Sequence, residues 1–163
     1  MKYILLITAT LFLFSCNHEQ ADENRLLQSR IDSLESKLSN SYKPELGEYM
    51  SRIQMNHSKL WFAGQNENWQ LADFEIHEIS EAIADIKKYE TNRKESEAIG
   101  MLTPAMDSIN IAIQQKNPIL FKSSFNMLTN TCNSCHHAVN FGFNVVKIPE
   151  TSPFTNQNFK NKD

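Results

Sequence analysis

Four successive runs between residues 44 and 142 carry apolar side chains at every third or fourth position, and nothing else in this 163-residue chain constrains its fold as much. That spacing puts the apolar side chains of each run on one face of an α-helix. The first run, 44–64, has Pro44 as a first-turn residue, Gly64 as a stop, and Leu46, Met50, Ile53, His57 and Leu60 as its stripe. It therefore sets a histidine, His57, on an apolar face. The second, 68–90, turns Ala72, Ile76, Ile79, Ile83 and Ile86 inward and Glu75, Glu78, Glu81 and Lys87 outward as a solvated face. The third opens on Thr103 and Pro104, an N-cap and first-turn pair, and runs to about 116 with Met106, Ile109 and Ile113 inward. The fourth opens on Asn117 and Pro118 and carries Phe121, Phe125, Leu128, Cys132 and then Cys135 or His136, ending before Gly142. Residues 91–100 are polar and carry no clear period.

The chain has only 4 glycines and 5 prolines, with 40% hydrophobic and 21% charged residues. Average use is roughly 7% glycine and 5% proline, so collagen-like, disordered and turn-rich β chains are excluded. The net charge of −3 gives no basic footprint for nucleic acid. The expected fold is all-α, an antiparallel four-helix bundle over 44–142, because short connections favour antiparallel neighbours. The aromatic, proline-punctuated tail, 143–163, is expected to cover one end irregularly.

The N-terminus reads as something other than this fold. After Lys2, residues 3–14 are an almost unbroken apolar run, shorter than the roughly 20 residues that span a bilayer and suited to a secretory signal. The run ends Leu13-Phe14-Ser15-Cys16, which resembles the lipobox of bacterial lipoproteins. The resemblance implies cleavage after residue 15, lipid on the Cys16 sulfur, and a place in the cell envelope on the inner or outer membrane, facing the periplasm. A plain signal peptide or an uncleaved anchor would carry the same apolar run. Residues 16–43 then read as a lipidated tether, polar over 17–24, and a short stalk helix. Its Leu27, Ile31, Leu34 and Leu38 recur at heptad spacing, so the stalk is also a candidate for homo-oligomerisation as a coiled coil.

Chemistry concentrates in Cys132-Asn133-Ser134-Cys135-His136, a Cys-x-x-Cys-His run with the spacing of a c-type haem attachment site. Two thiols three residues apart can add to two vinyl groups on one edge of a porphyrin, which leaves the adjacent imidazole to ligate the iron. On this reading Cys132 and Cys135 hold one covalent haem c and His136 is the proximal iron ligand. A redox dithiol, half of a zinc site and a structural disulfide are the competing readings. The first lacks a βαβ context, and the second lacks a further ligand pair. His137 would point about 100° away from His136 on a helix, toward solvent or a propionate.

A helical bundle with this motif near the end of its last helix resembles the cytochrome c′ family over about residues 44–140. The resemblance implies that a residue of the first helix covers the distal face of the haem. The depth of His136 matches that of Met50, while His57 lies about 10 Å deeper, at 1.5 Å of rise per residue. Met50 and His57 are both candidates for distal ligand or distal pocket, with His77 a weaker one. Trp61, Trp69 and the phenylalanines of the last helix are expected to wall the haem pocket or the core, and Arg52 and Lys59 are candidates to pair propionates. A second resemblance covers more of the chain. The strings Lys59-Leu60-Trp61-Phe62-Ala63-Gly64, Asn68-Trp69, Leu71-Ala72, the cysteine motif and the closing Asn156-Gln157-x-Phe159 look like a group of bacterial single-haem proteins, which implies one haem and a tail with a role.

These features together point to a single-electron carrier working with a redox partner protein. The alternative is a haem protein that takes a small gas, nitric oxide or carbon monoxide, on an open or displaceable distal face. No pattern suggests a separate catalytic acid, base or nucleophile.

Overall fold

The computed structural model describes residues 2–39, 41 and 44–160, with 2–19 described by backbone alone. Among these residues the structure is all-helical. The chain divides into two compact units, Met1–Lys43 and Pro44–Asp163.

The first unit is one helix, α1 (Lys2–Ser39). It continues through 17–24, where the sequence suggested a tether, because no glycine or proline in this span interrupts the hydrogen-bond ladder. No helix among the described residues is long and apolar enough to cross a membrane. The Cys16 side chain, the expected lipid site, lies outside the described residues.

The second unit holds α2 (Leu46–Gln65), α3 (Trp69–Tyr89), the short α4 (Lys94–Ala98), a 3-10 turn (Ile99–Leu102), α5 (Thr103–Gln114) and α6 (Pro118–Ala138). Helix α2 packs on α3 and α6, and α5 packs on α6 and α3. Asn68 and Asn117 begin α3 and α6. The Oδ1 of Asn68 accepts from the Leu71 amide at 3.2 Å, and that of Asn117 accepts from the Ile119 and Leu120 amides at 3.1 and 3.0 Å. Thr103 does not cap α5. The chain enters that helix from the 3-10 turn, so Thr103 is already helical and Leu102 takes the cap position without a side-chain bond.

Gly64 corrects a second expectation: it stays inside α2. A Cβ there would collide with the ring of Phe121 on α6, so its role is close helix approach. The helix ends one residue later, at Gln65, and beyond it Glu67 adopts a positive φ of 54° while the amides of Glu67 and Asn68 bond back to the carbonyls of Gly64 and Ala63. This Schellman pattern recurs after α5 at Lys116 (φ 49°) and after α6 at Asn140 (φ 68°). Among the described residues the left-handed turns are thus made without glycine.

Glu75 corrects a third. It lies in the core at 1% exposure rather than on the solvated face, because the C-terminal tail closes over that side of α2 and α3. Phe159 is buried against Phe62 with ring centroids 5.6 Å apart, and Lys59 Nζ sits 5.3 Å from the Phe154 ring centroid.

Candidate functional site

The last two turns of α6, the tail that follows, the first half of α2 and residues of α4 and the 3-10 turn together line a cavity of about 380 Å³. Cys132, Cys135 and His136 line it from α6, and Met50 and His57 line it from α2. All five residues singled out by the motif and by the apolar stripe thus meet in one cavity, whose volume is within the range of small-molecule and cofactor sites.

The tail takes its course from the end of α6. Asn140, in the left-handed region, lets the Phe141 amide bond to the His136 carbonyl at 2.7 Å and turns the chain back along the helix. Asn133, between the two cysteines, then clamps it. Its Nδ2 donates to the Val146 carbonyl at 2.9 Å, and its Oδ1 accepts from the Val146 amide at 2.8 Å. Phe141, Asn144 and Val146 become cavity wall as a result. His137 is exposed and packs against Gly142, where a Cβ would come within 2.5 Å of the ring Nδ1.

The same turn orients His136. Its Nδ1 lies 2.7 Å from the carbonyl of Asn144, which can only accept, so Nδ1 carries the proton and the Nε2 lone pair remains available to a metal. A backbone carbonyl holding one ring nitrogen while the other ligates is a common support for a metal-binding histidine.

The two cysteines are free thiols on the same side of α6. Burial, together with the nearby Cys135, pushes the Cys132 thiol up to about 12, and burial also raises Cys135. Their position at the C-terminal end of a helix, the negative end of its dipole, disfavours thiolates as well. A redox dithiol keeps its attacking sulfur as a stabilised thiolate, commonly at a helix N-terminus, and zinc binds thiolates. Neither use suits this environment. Among the described residues no group of three or more His, Cys, Asp and Glu is arranged to hold a metal ion. A haem iron needs only one such side chain beside its porphyrin nitrogens.

His57 is buried to 4% exposure, and its ring lies 4.4 Å from that of Phe125. Thr129 Oγ1 donates its single proton to the Phe125 carbonyl at 3.0 Å and must therefore accept from His57 Nε2, 2.9 Å away. Burial pushes the imidazole down to about 4, so it is neutral at pH 7, protonated on Nε2, with its free lone pair on Nδ1. Met50 is half-buried and carries no such tie.

The remaining expectations divide. His77 is exposed and pairs with Glu81 at 3.2 Å, away from the cavity. Arg52 bonds Asp85 at 3.1 Å and Lys59 lies 4.0 Å from Glu75, so neither propionate candidate reaches the cavity. Trp61 and Trp69 pack on Phe121 in the core rather than around the cavity. The cation that does line it is Arg93, whose Nε pairs with Glu90 at 2.8 Å. It comes from the aperiodic stretch before α4, where charge pattern alone gave no sign of it. The chain matches no protein-family model, no curated protein and no solved structure.

Proposed function

We propose that this chain is a lipid-anchored, single-haem c-type cytochrome of the cell envelope that passes single electrons to a partner protein, with its haem held in an antiparallel four-helix bundle like that of the cytochrome c′ family. The observation that carries the reading is the convergence of Cys132, Cys135, His136, Met50 and His57 on one cavity of about 380 Å³. Bound there, a haem would supply a one-electron iron couple. Each thiol would add across a vinyl double bond, the sulfur bonding one carbon and the proton going to the other. His136 would ligate through Nε2, held in place by the Asn144 carbonyl. Arg93, not Arg52 or Lys59, would face a propionate. The lipid on Cys16 would fix the chain to the membrane.

A second reading, uptake of nitric oxide or carbon monoxide, is favoured by the bond between His57 and Thr129. With Nε2 committed, His57 offers only Nδ1 to the cavity, and Met50 is the less constrained distal candidate. If Met50 does not ligate, the distal face is open to a gas.

The test is expression in a host with haem-attachment machinery, followed by a pyridine haemochrome assay on the denatured protein. One covalent haem per chain is expected, and its absence removes both readings. The ferric spectrum then separates them. A low-spin spectrum that turns high-spin in Met50→Ala supports electron transfer with Met50 as ligand, whereas a high-spin spectrum in the native protein supports gas binding.

A further inference from the structure

Helix α1 carries an apolar face that its own unit leaves uncovered among the described residues. Ile31, Leu34 and Leu38 are 47%, 63% and 67% exposed, far more than an ordered helix leaves along one line by chance. We infer that this face pairs with a second copy of the chain as a parallel, in-register, two-stranded coiled coil over residues 24–38.

The residue types at each heptad position select that partner. If Leu27 and Leu34 occupy the d positions, Asn24, Ile31 and Leu38 fall at a. A β-branched residue at a with leucine at d favours two parallel strands, and a single asparagine at a fixes register and a two-stranded state at some cost in stability. The flanking charges agree. In this frame Arg30 is a g residue and Glu35 the e residue five positions on, which is the pair that meets across a parallel dimer. Two-fold symmetry makes the contact twice. The other polar pairs on this helix, Arg25 with Asp22 and Gln28 with Asp32, are satisfied within one chain. An antiparallel pair would not bring Arg30 to Glu35 of the other copy in this register. A seam of about two heptads is marginal alone, and the proposed membrane anchor would help by holding copies on one surface at raised effective concentration. That clause rests on the lipoprotein reading, while the seam does not depend on the haem.

The experiment is cysteine cross-linking of the full-length chain in membranes, with the native chain under the same copper-phenanthroline oxidation as background. Leu27→Cys and Leu34→Cys, made separately, should each give a disulfide-linked dimer several-fold above background, because equivalent d positions face each other only in a parallel, in-register pair. Ser29→Cys, on the outward face, should stay at background. Arg30→Glu combined with Leu34→Cys should lower the dimer yield, and adding Glu35→Arg should restore it. No dimer at either leucine site, an equal dimer at Ser29, or no restoration by the charge swap would overturn the inference. A haemochrome assay on the same membranes reads the haem proposal separately. Recovery of the chain in the soluble fraction would remove the anchor and leave the cross-linking result to judge the seam.

Discussion

The two ends of helix α6 are built on opposite plans. At its N-terminal end Phe121 and Phe125 are completely buried, Trp61 packs 4.8 Å from Phe125, Trp69 meets Phe121 edge-on at 6.0 Å, and Gly64 gives up its side chain so that the Phe121 ring can fit. At its C-terminal end Cys132, Cys135 and His136 face a cavity of about 380 Å³. One end of the helix pair is solid core, and the other borders open space on the scale of a ligand site. The contrast also explains why Trp61, Trp69, Phe121 and Phe125 do not wall the cavity: they are used up in fixing the helices two turns away.

If that division is right, damage to the solid end should cost stability without touching the proposed haem attachment. Phe121→Ala is expected to have the largest effect, about 3–5 kcal/mol for truncating a buried phenylalanine, read by chemical denaturation, while covalent haem per folded chain stays at the native value. Loss of the haem at full folding would show that the ends are not separable. Gly64→Ala should cost about 1–3 kcal/mol, the usual penalty of overpacking, because the added methyl meets a ring that has nowhere to go. A neutral Gly64→Ala in the same denaturation experiment would mean that α2 and α6 sit farther apart than described.

Much of this was legible from the sequence, and the failures have physical causes. The stripes on α2, α3, α5 and α6 are readable because burial on a helix imposes a period, and the grouping of Cys132, Cys135 and His136 because helical spacing sets them near one another on α6. The polar stretch around Arg93 has no period to read, since a 3-10 turn and a five-residue helix are too short to show one. Thr103 looked like a cap because a threonine before a proline usually is one, and only the preceding turn makes it helical. Glu75 was misplaced because helical spacing locates a residue relative to its own helix, and what buries it is a tail some eighty positions away. Asn133 belonged to the motif as a spacer, and its hold on Val146 is a contact that only the folded tail creates.

Glu75 gives a milder test, in the direction of added stability. Neither of its carboxylate oxygens makes a hydrogen bond of good geometry, and burial raises its pKa, with Lys59 at 4.0 Å and a loose contact to the tail's Gln157 side chain opposing that only in part. A carboxyl raised in the folded state binds its proton more tightly there than in the unfolded chain. Its contribution is therefore fully present below the unfolded value, near 4.5, and is lost as pH rises through the folded value. Glu75→Gln should accordingly stabilise the protein at pH 7 by on the order of 1 kcal/mol, the scale of an unpartnered buried polar group. The gain should shrink toward zero near pH 4. A pH-independent difference in melting temperature would show that shape, not charge, sets the cost.

The smallest effect should come from the turns at the solid end, which use Glu67 and Lys116 where the cavity end uses Asn140. Asparagine tolerates the left-handed region better than lysine does, because its short polar side chain can bond locally. The Lys116 side chain makes no hydrogen bond or ion pair among the described residues, and its amide bond to Ile113 is one glycine can also make, so Lys116→Gly changes little except the backbone strain. Glycine relieves a cost of about 1–2 kcal/mol at φ 49° but also widens the unfolded ensemble, which takes part of that back. A net gain of about 0.5–1 kcal/mol should remain, seen as a rise in melting temperature of roughly 1–4 °C. Asn140→Gly, measured alongside, should gain less, and a larger gain there would mean that the turn beneath the cysteine motif is the more strained of the two ends.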